Sequence, residues 1–277
     1  MTTHQVFTDP MLGMAVSIPS PPPLVDELKQ LLDDAESEID AIAELVHKDA
    51  GITASLYKTL AKPIYGLRRP PETIAQAVSL VGLNTLANLI SGLSIQAAIY
   101  GESPFYPWFW ERANDIAGYA AAIAQRQRMV CNVFPEHAHL AALFVDCGVP
   151  ILLQHIERYE YPFMTANGYV WPDVVEEDRR HNTDHAVVGH LAARHWRLPA
   201  YACEAIRWHH EPVNVNDKAA TLVAILQTAI HIYNVNAMKD DRDWPSFRNQ
   251  ALEEIGVAKE GLKEFEEDIF EQTHGRS

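Results

Sequence analysis

The segment RWHHEP, residues 207–212, sets two adjacent histidines before a glutamate and a proline, at the end of an apolar, alanine-containing stretch. Neutral imidazole is a common ligand of divalent metals and titrates near neutral pH. On a helix His209 and His210 stand three and four residues after Ile206, so at least one shares its buried face. An imidazole there either ligates a metal or is a hydrogen-bonded member of the core, and the local sequence leaves both open. His185 lies near the start of another helix, four residues before Gly189. His181 is four residues earlier still, but Thr183 is a natural helix start between them, which argues against an i,i+4 ligand pair. Asp146, in ALFVDCGVP, falls in the last turn of an apolar segment. A buried carboxylate needs a cation or a partner; otherwise it caps the following turn. His137 and His139 form an H-x-H at a helix start, where solvent exposure is expected. HExxH, a nucleophile elbow, a P-loop and GxGxxG are absent.

Helices must position these residues. After a proline-rich, extended lead-in of about 23 residues ending in SIPSPPP, apolar residues recur at three- and four-residue steps: Leu24, Leu28, Leu31 and Leu32, then Ile39, Ile42, Leu45 and Val46, then Ile52, Leu56 and Leu60 before Pro63. Thr73 and Gln76 form a capping-box pattern, Gly82 is a stop, and Asn84 can cap the next helix. GESPFYP (101–107) is a break. A second helical block runs from WFWERANDIAGYAAAIAQRQ through EHAHLAALFVDCGVPILLQHI. Residues 160–180 read as a long loop with one short helix. Thr183 can cap HAVVGHLAARHW, Pro199 fits the first turn of AYACEAIRWHH, and ATLVAILQTAIHIYN reads as a core helix. No window shows strand alternation. The expected class is all-α, in two helical lobes.

Composition narrows the partners. The formal charge is −15, from 37 acidic and 22 basic residues, whereas a general nucleic-acid binder needs clustered Lys and Arg. The same balance disfavours docking on anionic lipid. Cys131, Cys147 and Cys203 form neither a disulfide framework nor a CxxC site, consistent with a reducing compartment. MTTHQVFTDP is not a signal peptide, and no apolar stretch reaches the ~18 residues of a membrane span. The expectation is a cytoplasmic protein.

Several motifs in order then resemble one family. IPSPPP, DAIAELVHKDAGITASLYKTL, YG (65–66) and TIAQAVSLVGLNTLANL are similar to the N-terminal part of the HDOD family, a signalling-output relative of the HD and HD-GYP phosphohydrolases. FWERANDIAGYAAAIA, HLAALFVDCGVPIL and TDHAVVGHLAARHWRLPAYACEAIRWHHEP extend the resemblance over roughly residues 15–235. It implies an HDOD-like domain with an N-terminal lobe over about 15–100 and an HD-like lobe over about 105–235, followed by an acidic helical extension, 236–277. The HD superfamily holds metal with histidines and aspartates from neighbouring helices. Carried over, its "HD" pair falls on Val145-Asp146, so the histidine is missing. An earlier histidine falls near Arg112, the next matches His185, the pair matches His209 and His210, and the late aspartate falls near Gln227. The GYP signature is replaced by EPVNVND, and the usual Asn-Ser by Leu60-Ala61.

A catalytic divalent site needs several deprotonated ligands and an open position. Asp146, His185, His209 and His210 are an incomplete set, and Arg112 would add positive charge beside Asp146. The resemblance therefore implies a non-catalytic bacterial regulatory module that acts on other signalling proteins, without a required cofactor and with the old metal pocket kept as a polar network. The exposed surface around 104–110 or the 160–175 loop is a candidate contact, while the aromatics there also read as core anchors, since aromatics bury large areas. The alternative is a phosphohydrolase of nucleotides or cyclic dinucleotides that uses Fe, Mn or Zn and an extra ligand such as His139 or Glu211. A third reading is a sensor binding a small anion through Arg112 and the histidines.

Overall fold

The computed structural model describes residues 4–7, 16–34, 38–65, 67–159, 164–165, 168–211, 217–239 and 241–274. The chain forms two compact units, residues 21–99 with 271–277, and residues 1–20 with 100–270.

Two short antiparallel strands, β1 (His4–Phe7) and β2 (Val16–Pro19), open the larger unit. The extended lead-in is thus a strand pair, which overturns the expectation of no strands. Four-residue strands are too short to display alternation, and pairing across the 8–15 interval has no local signature. Val16 and Ile18 are buried, the Trp196 indole N–H donates to the Pro19 carbonyl at 2.8 Å, and His155 Nε2 meets the Ser17 carbonyl at 2.6 Å.

The smaller unit is α1 (Pro23–Asp33), α2 (Ile39–His47), α3 (Ala50–Leu60), a 3₁₀ turn at Pro63–Tyr65, α4 (Ile74–Val81) and α5 (Leu83–Ala98). The periodic residues meet as expected: Leu28, Ile42, Leu45, Val46, Ile52, Leu56, Leu60, Leu86 and Ile90 share one core. Asp49 caps α3 by accepting from Gly51 and Ile52 N–H. The Thr73 hydroxyl accepts from Gln76 N–H, while the Gln76 side-chain Oε1 accepts from Glu72 N–H, so the capping box closes one residue early. Gly82, with φ +86°, ends α4 and is itself the residue before α5, so Asn84 lies inside that helix rather than capping it. Gly66 lies outside the described residues.

In the larger unit follow α6 (Phe105–Arg126), α7 (Arg128–Cys131), α8 (Pro135–Leu143) and α9 (Gly148–His155). Next come β3 (Met164–Thr165) paired with β4 (Gly168–Tyr169), then α10 (Val174–His181), α11 (His185–His195) and α12 (Ala200–Trp208). The last elements are α13 (Asp217–Asn236), α14 (Trp244–Glu254), a 3₁₀ turn at Lys259–Gly261 and α15 (Leu262–His274). The 160–180 stretch therefore holds a tiny hairpin as well as a helix; its residues 160–163 and 166–167, like 212–216 of EPVNVND, lie outside the described residues. Residues 236–270, set apart by their acidity, are packed within this unit, with α14 against α13.

Two local expectations are corrected. Asp184, not Thr183, caps α11 by accepting from Val187 N–H at 2.8 Å, and the Thr183 hydroxyl is buried. His139 is buried, because α8 turns that face onto α6, while His137 is half-buried against Tyr201. Phe105, Tyr106, Phe109 and Trp110 of the 104–110 stretch are core residues, in line with the core-anchoring reading of those aromatics. One helical run, Pro135–His155, does pass a length-and-hydropathy test for crossing a membrane, but 83% of its apolar window is buried within the fold.

Candidate functional site

Asp146 sits in the turn between α8 and α9 with its side chain 2% exposed. Its position depends on a close helix approach. A Cβ on Gly148 would lie 2.0 Å from the His185 carbonyl oxygen and 2.8 Å from Gly189 N, so only glycine lets α9 meet the first turn of α11. Cys147 adds an S–H contact to the Gly189 carbonyl at 3.7 Å. That approach brings Asp146 and His185 together.

Arg112 projects from the middle of α6 and is 3% exposed. It donates to Asp146 Oδ2 at 2.6 Å. Its guanidinium carbon lies 3.5 Å from the Trp171 ring centroid and 5.5 Å from that of Tyr233. The other carboxylate oxygen, Oδ1, is 3.3 Å from His185 Nε2 and 3.2 Å from His209 Nε2. Neither approach is aligned as a hydrogen bond, and among the described residues both Asp146 Oδ1 and His209 Nε2 are buried without a hydrogen-bond partner.

Each imidazole is anchored through its other nitrogen. His185 Nδ1 is 2.5 Å from Glu177 Oε2, which also accepts from the His185 backbone N–H; the Tyr159 hydroxyl donates to Glu177 Oε1. His209 Nδ1 is 2.8 Å from the Ile206 carbonyl, and Gln227 donates to the His209 carbonyl at 2.9 Å. His210 Nδ1 is 2.8 Å from Asp243 Oδ2. Carbonyls and carboxylates only accept, so all three Nδ1 atoms carry hydrogen. The Nε2 lone pairs of the neutral rings then converge, and His185 Nε2 and His210 Nε2 are 3.1 Å apart. Two lone pairs that close require a proton or a cation between them.

In the absence of an ion, the surrounding carboxylates favour a proton on His185. Burial pulls the His185 imidazole down, but Glu177 and Asp146 outweigh it and hold it up at about 10. Burial, with His210 beside it, pushes His209 down to about 4. Burial opposes the charge of Asp146, yet Arg112 and the two histidines hold its carboxyl well below the usual range. Glu177 is likewise held low: His185 outweighs its burial. Two buried cations, Arg112 and His185, thus balance two buried anions, Asp146 and Glu177.

The donor set also meets the demands of one divalent ion. One ligand atom each from Asp146, His185, His209 and His210 lies within 4.8 Å of the others. Oxygen acceptors behind the ligating nitrogens are the usual second layer of such sites. What does not fit is a second ion, because Asp146 Oδ2 is taken by a guanidinium. His139 and Glu211 are not in this group. Glu177, Tyr159, Trp171 and Asp243 carried no sequence signal. Glu177 and Asp243 sit in charge runs, EEDRR and DDRD, that read as solvated faces.

Beside the cluster is a cavity of about 80 Å³, lined by Arg112, Trp171, His210, Asn234, Trp244 and Phe247 among others. Behind it, His231 bridges Asp241 (2.8 Å) and Glu266 (3.1 Å) and stacks on Trp244 with ring centroids 4.2 Å apart.

A family model described as HDOD domain matches residues 18–212. The fold is similar to an HDOD domain protein of unknown function from Geobacter sulfurreducens, at 21% identity and TM-score 0.66, covering 92% of this chain and 93% of that one. It is also similar to a Shewanella amazonensis SB2B protein provisionally named a metal-dependent phosphohydrolase, at 15% identity and TM-score 0.67, covering 94% and 93%. A curated relative, an uncharacterized protein of Treponema pallidum (strain Nichols), is 20% identical over 222 residues, 76% of this chain. The match spans only 41% of that relative's length.

Proposed function

The chain belongs to the HDOD family, and we propose that it is a non-catalytic bacterial signalling module that acts through other signalling proteins rather than by hydrolysing a phosphate ester. One observation carries this reading: the buried Arg112–Asp146 pair at 2.6 Å. A hydrolase needs its central carboxylate for metal and an exchangeable position for water. A guanidinium keeps its proton at any accessible pH and cannot vacate that role. With His185 protonated, the four buried charges cancel without an ion, and this charge-balanced cluster links α6, the α8–α9 turn, α11 and α12.

A second reading, a metal-dependent phosphohydrolase acting on a nucleotide or cyclic dinucleotide, draws support from the convergence of the four donor atoms. Asp146, His185, His209 and His210 would hold the Fe, Mn or Zn ion, which would polarise phosphate and lower the pKa of water. Glu177 and Asp243 would orient His185 and His210, and His185 would have to release its proton.

The two separate in a hydrolysis assay of the full chain with bis-p-nitrophenyl phosphate and cyclic dinucleotides, in Mn²⁺, Fe²⁺ or Zn²⁺. The signalling reading expects turnover no faster than buffer, unchanged in the His209→Ala/His210→Ala double variant. Metal-dependent turnover that this variant abolishes would establish the hydrolase instead.

A further inference from the structure

The cavity beside the imidazole cluster has its own chemistry. We infer that it is a binding site for a small organic acid, whose carboxylate is taken edge-on by Arg112. Arg112 is 3% exposed and lines this cavity. A guanidinium has five N–H donors. Among the described residues Arg112 makes one hydrogen bond, from Nη1 to Asp146 Oδ2. Its faces are covered by Trp171 at 3.5 Å and, more distantly, Tyr233 at 5.5 Å. The remaining donors have no hydrogen-bond partner among the described residues and form a fork of N–H groups. That fork matches the two oxygens of a carboxylate.

The wall also carries carboxylates, which would repel an anion if they were bare. Each is matched. Asp146 is paired with Arg112, Asp241 with His231 at 2.8 Å, and Asp243 with His210 at 2.8 Å. Asp173 accepts from the Val175 and Glu176 N–H groups at the start of α10. Arg242 adds a second cation to the lining.

Away from Arg112 the lining turns apolar, with Ile230, Trp244 and Phe247, and Asn234 provides an amide. The lining thus sets a cationic end against an apolar one, in a cavity of about 80 Å³. That suits a carboxylic acid with a short flat or branched body. Trp244 and Phe247 belong to α14, so a ligand held by Arg112 would rest directly on that helix.

The inference rests on the reading that Arg112, not a metal ion, neutralises Asp146; the hydrolysis and metal assays test that reading, and a titration tests this one. Calorimetry of the full chain with benzoate should show saturable one-to-one binding, with benzamide at least tenfold weaker, the loss of about one charge-assisted contact. The Arg112→Gln/Asp146→Asn variant removes the buried charges together, and should weaken benzoate at least tenfold while leaving benzamide unchanged. Phe247→Ala keeps every charge; it should weaken benzoate several-fold and leave acetate unaffected. Equal affinity for benzoate and benzamide, unchanged benzoate affinity in the Arg112→Gln/Asp146→Asn variant, or binding of inorganic phosphate but of no carboxylate would overturn the assignment.

Discussion

At the scale of single residues, Arg112 and Asp146 decide the character of the pocket. Both are almost wholly buried, so deleting one strands the other. Arg112→Ala or Asp146→Ala should therefore cost about 3–5 kcal/mol of stability, measured by urea unfolding. The apolar Arg112→Met/Asp146→Leu pair should cost far less than either single change, since replacing a whole buried ion pair is often neutral. If the double variant were as unstable as the singles, the pair would not be the local electrostatic unit described here. His231 gives a pH prediction. Burial pulls its imidazole down, but Asp241 and Glu266 outweigh that and raise it. Its protonation stabilises the fold fully below about pH 6.5 and ceases to do so as pH rises through the higher folded value. His231→Gln should flatten the decline in stability above neutrality; an unchanged slope would contradict the bridge between α13, the Asp241 loop and α15. Much of the site was legible at this scale. Asp146 stood out as a charge inside an apolar run, and the paired histidines by their rarity. Glu177 and Asp243 were not legible, because a carboxylate that reaches a histidine on another helix looks, in sequence, like any solvated one.

At the scale of elements, periodicity and caps located the helices, while contacts that cross the chain escaped. The spacing of Leu28, Ile42, Leu56 and Leu86 reports a buried face directly. The pairing of β1 with β2 does not, nor does the fastening of Pro19 to Trp196, 177 residues away. Gly148 shows the same limit: its need for a bare Cα arises only from the His185 carbonyl on another helix. Gly148→Ala should destabilise by about 1–3 kcal/mol or more, as overpacking does. Gly189→Ala, whose Cβ would first meet the Ile206 side chain at 3.1 Å, should cost less, because a side chain can give where backbone cannot. Urea midpoints of the two variants check the order; a reversal would mean that α9 and α11 do not meet as described.

At the scale of the whole molecule, the chain keeps the family frame, and the proposal is that protein cations take the place of a metal in the pocket. The segment after the family match supplies Asp243, Trp244 and Phe247 to that pocket. The claim that protein cations have replaced the ion is tested most directly by counting metal. Full chain purified without chelator, and an Arg112→His/Val145→His variant that restores both missing histidines, would be compared by plasma mass spectrometry for Fe, Mn and Zn. The prediction is metal well below one ion per chain in the natural sequence, rising toward stoichiometry in the variant. A full complement of tightly held metal in the natural chain, with no gain in the variant, would contradict it.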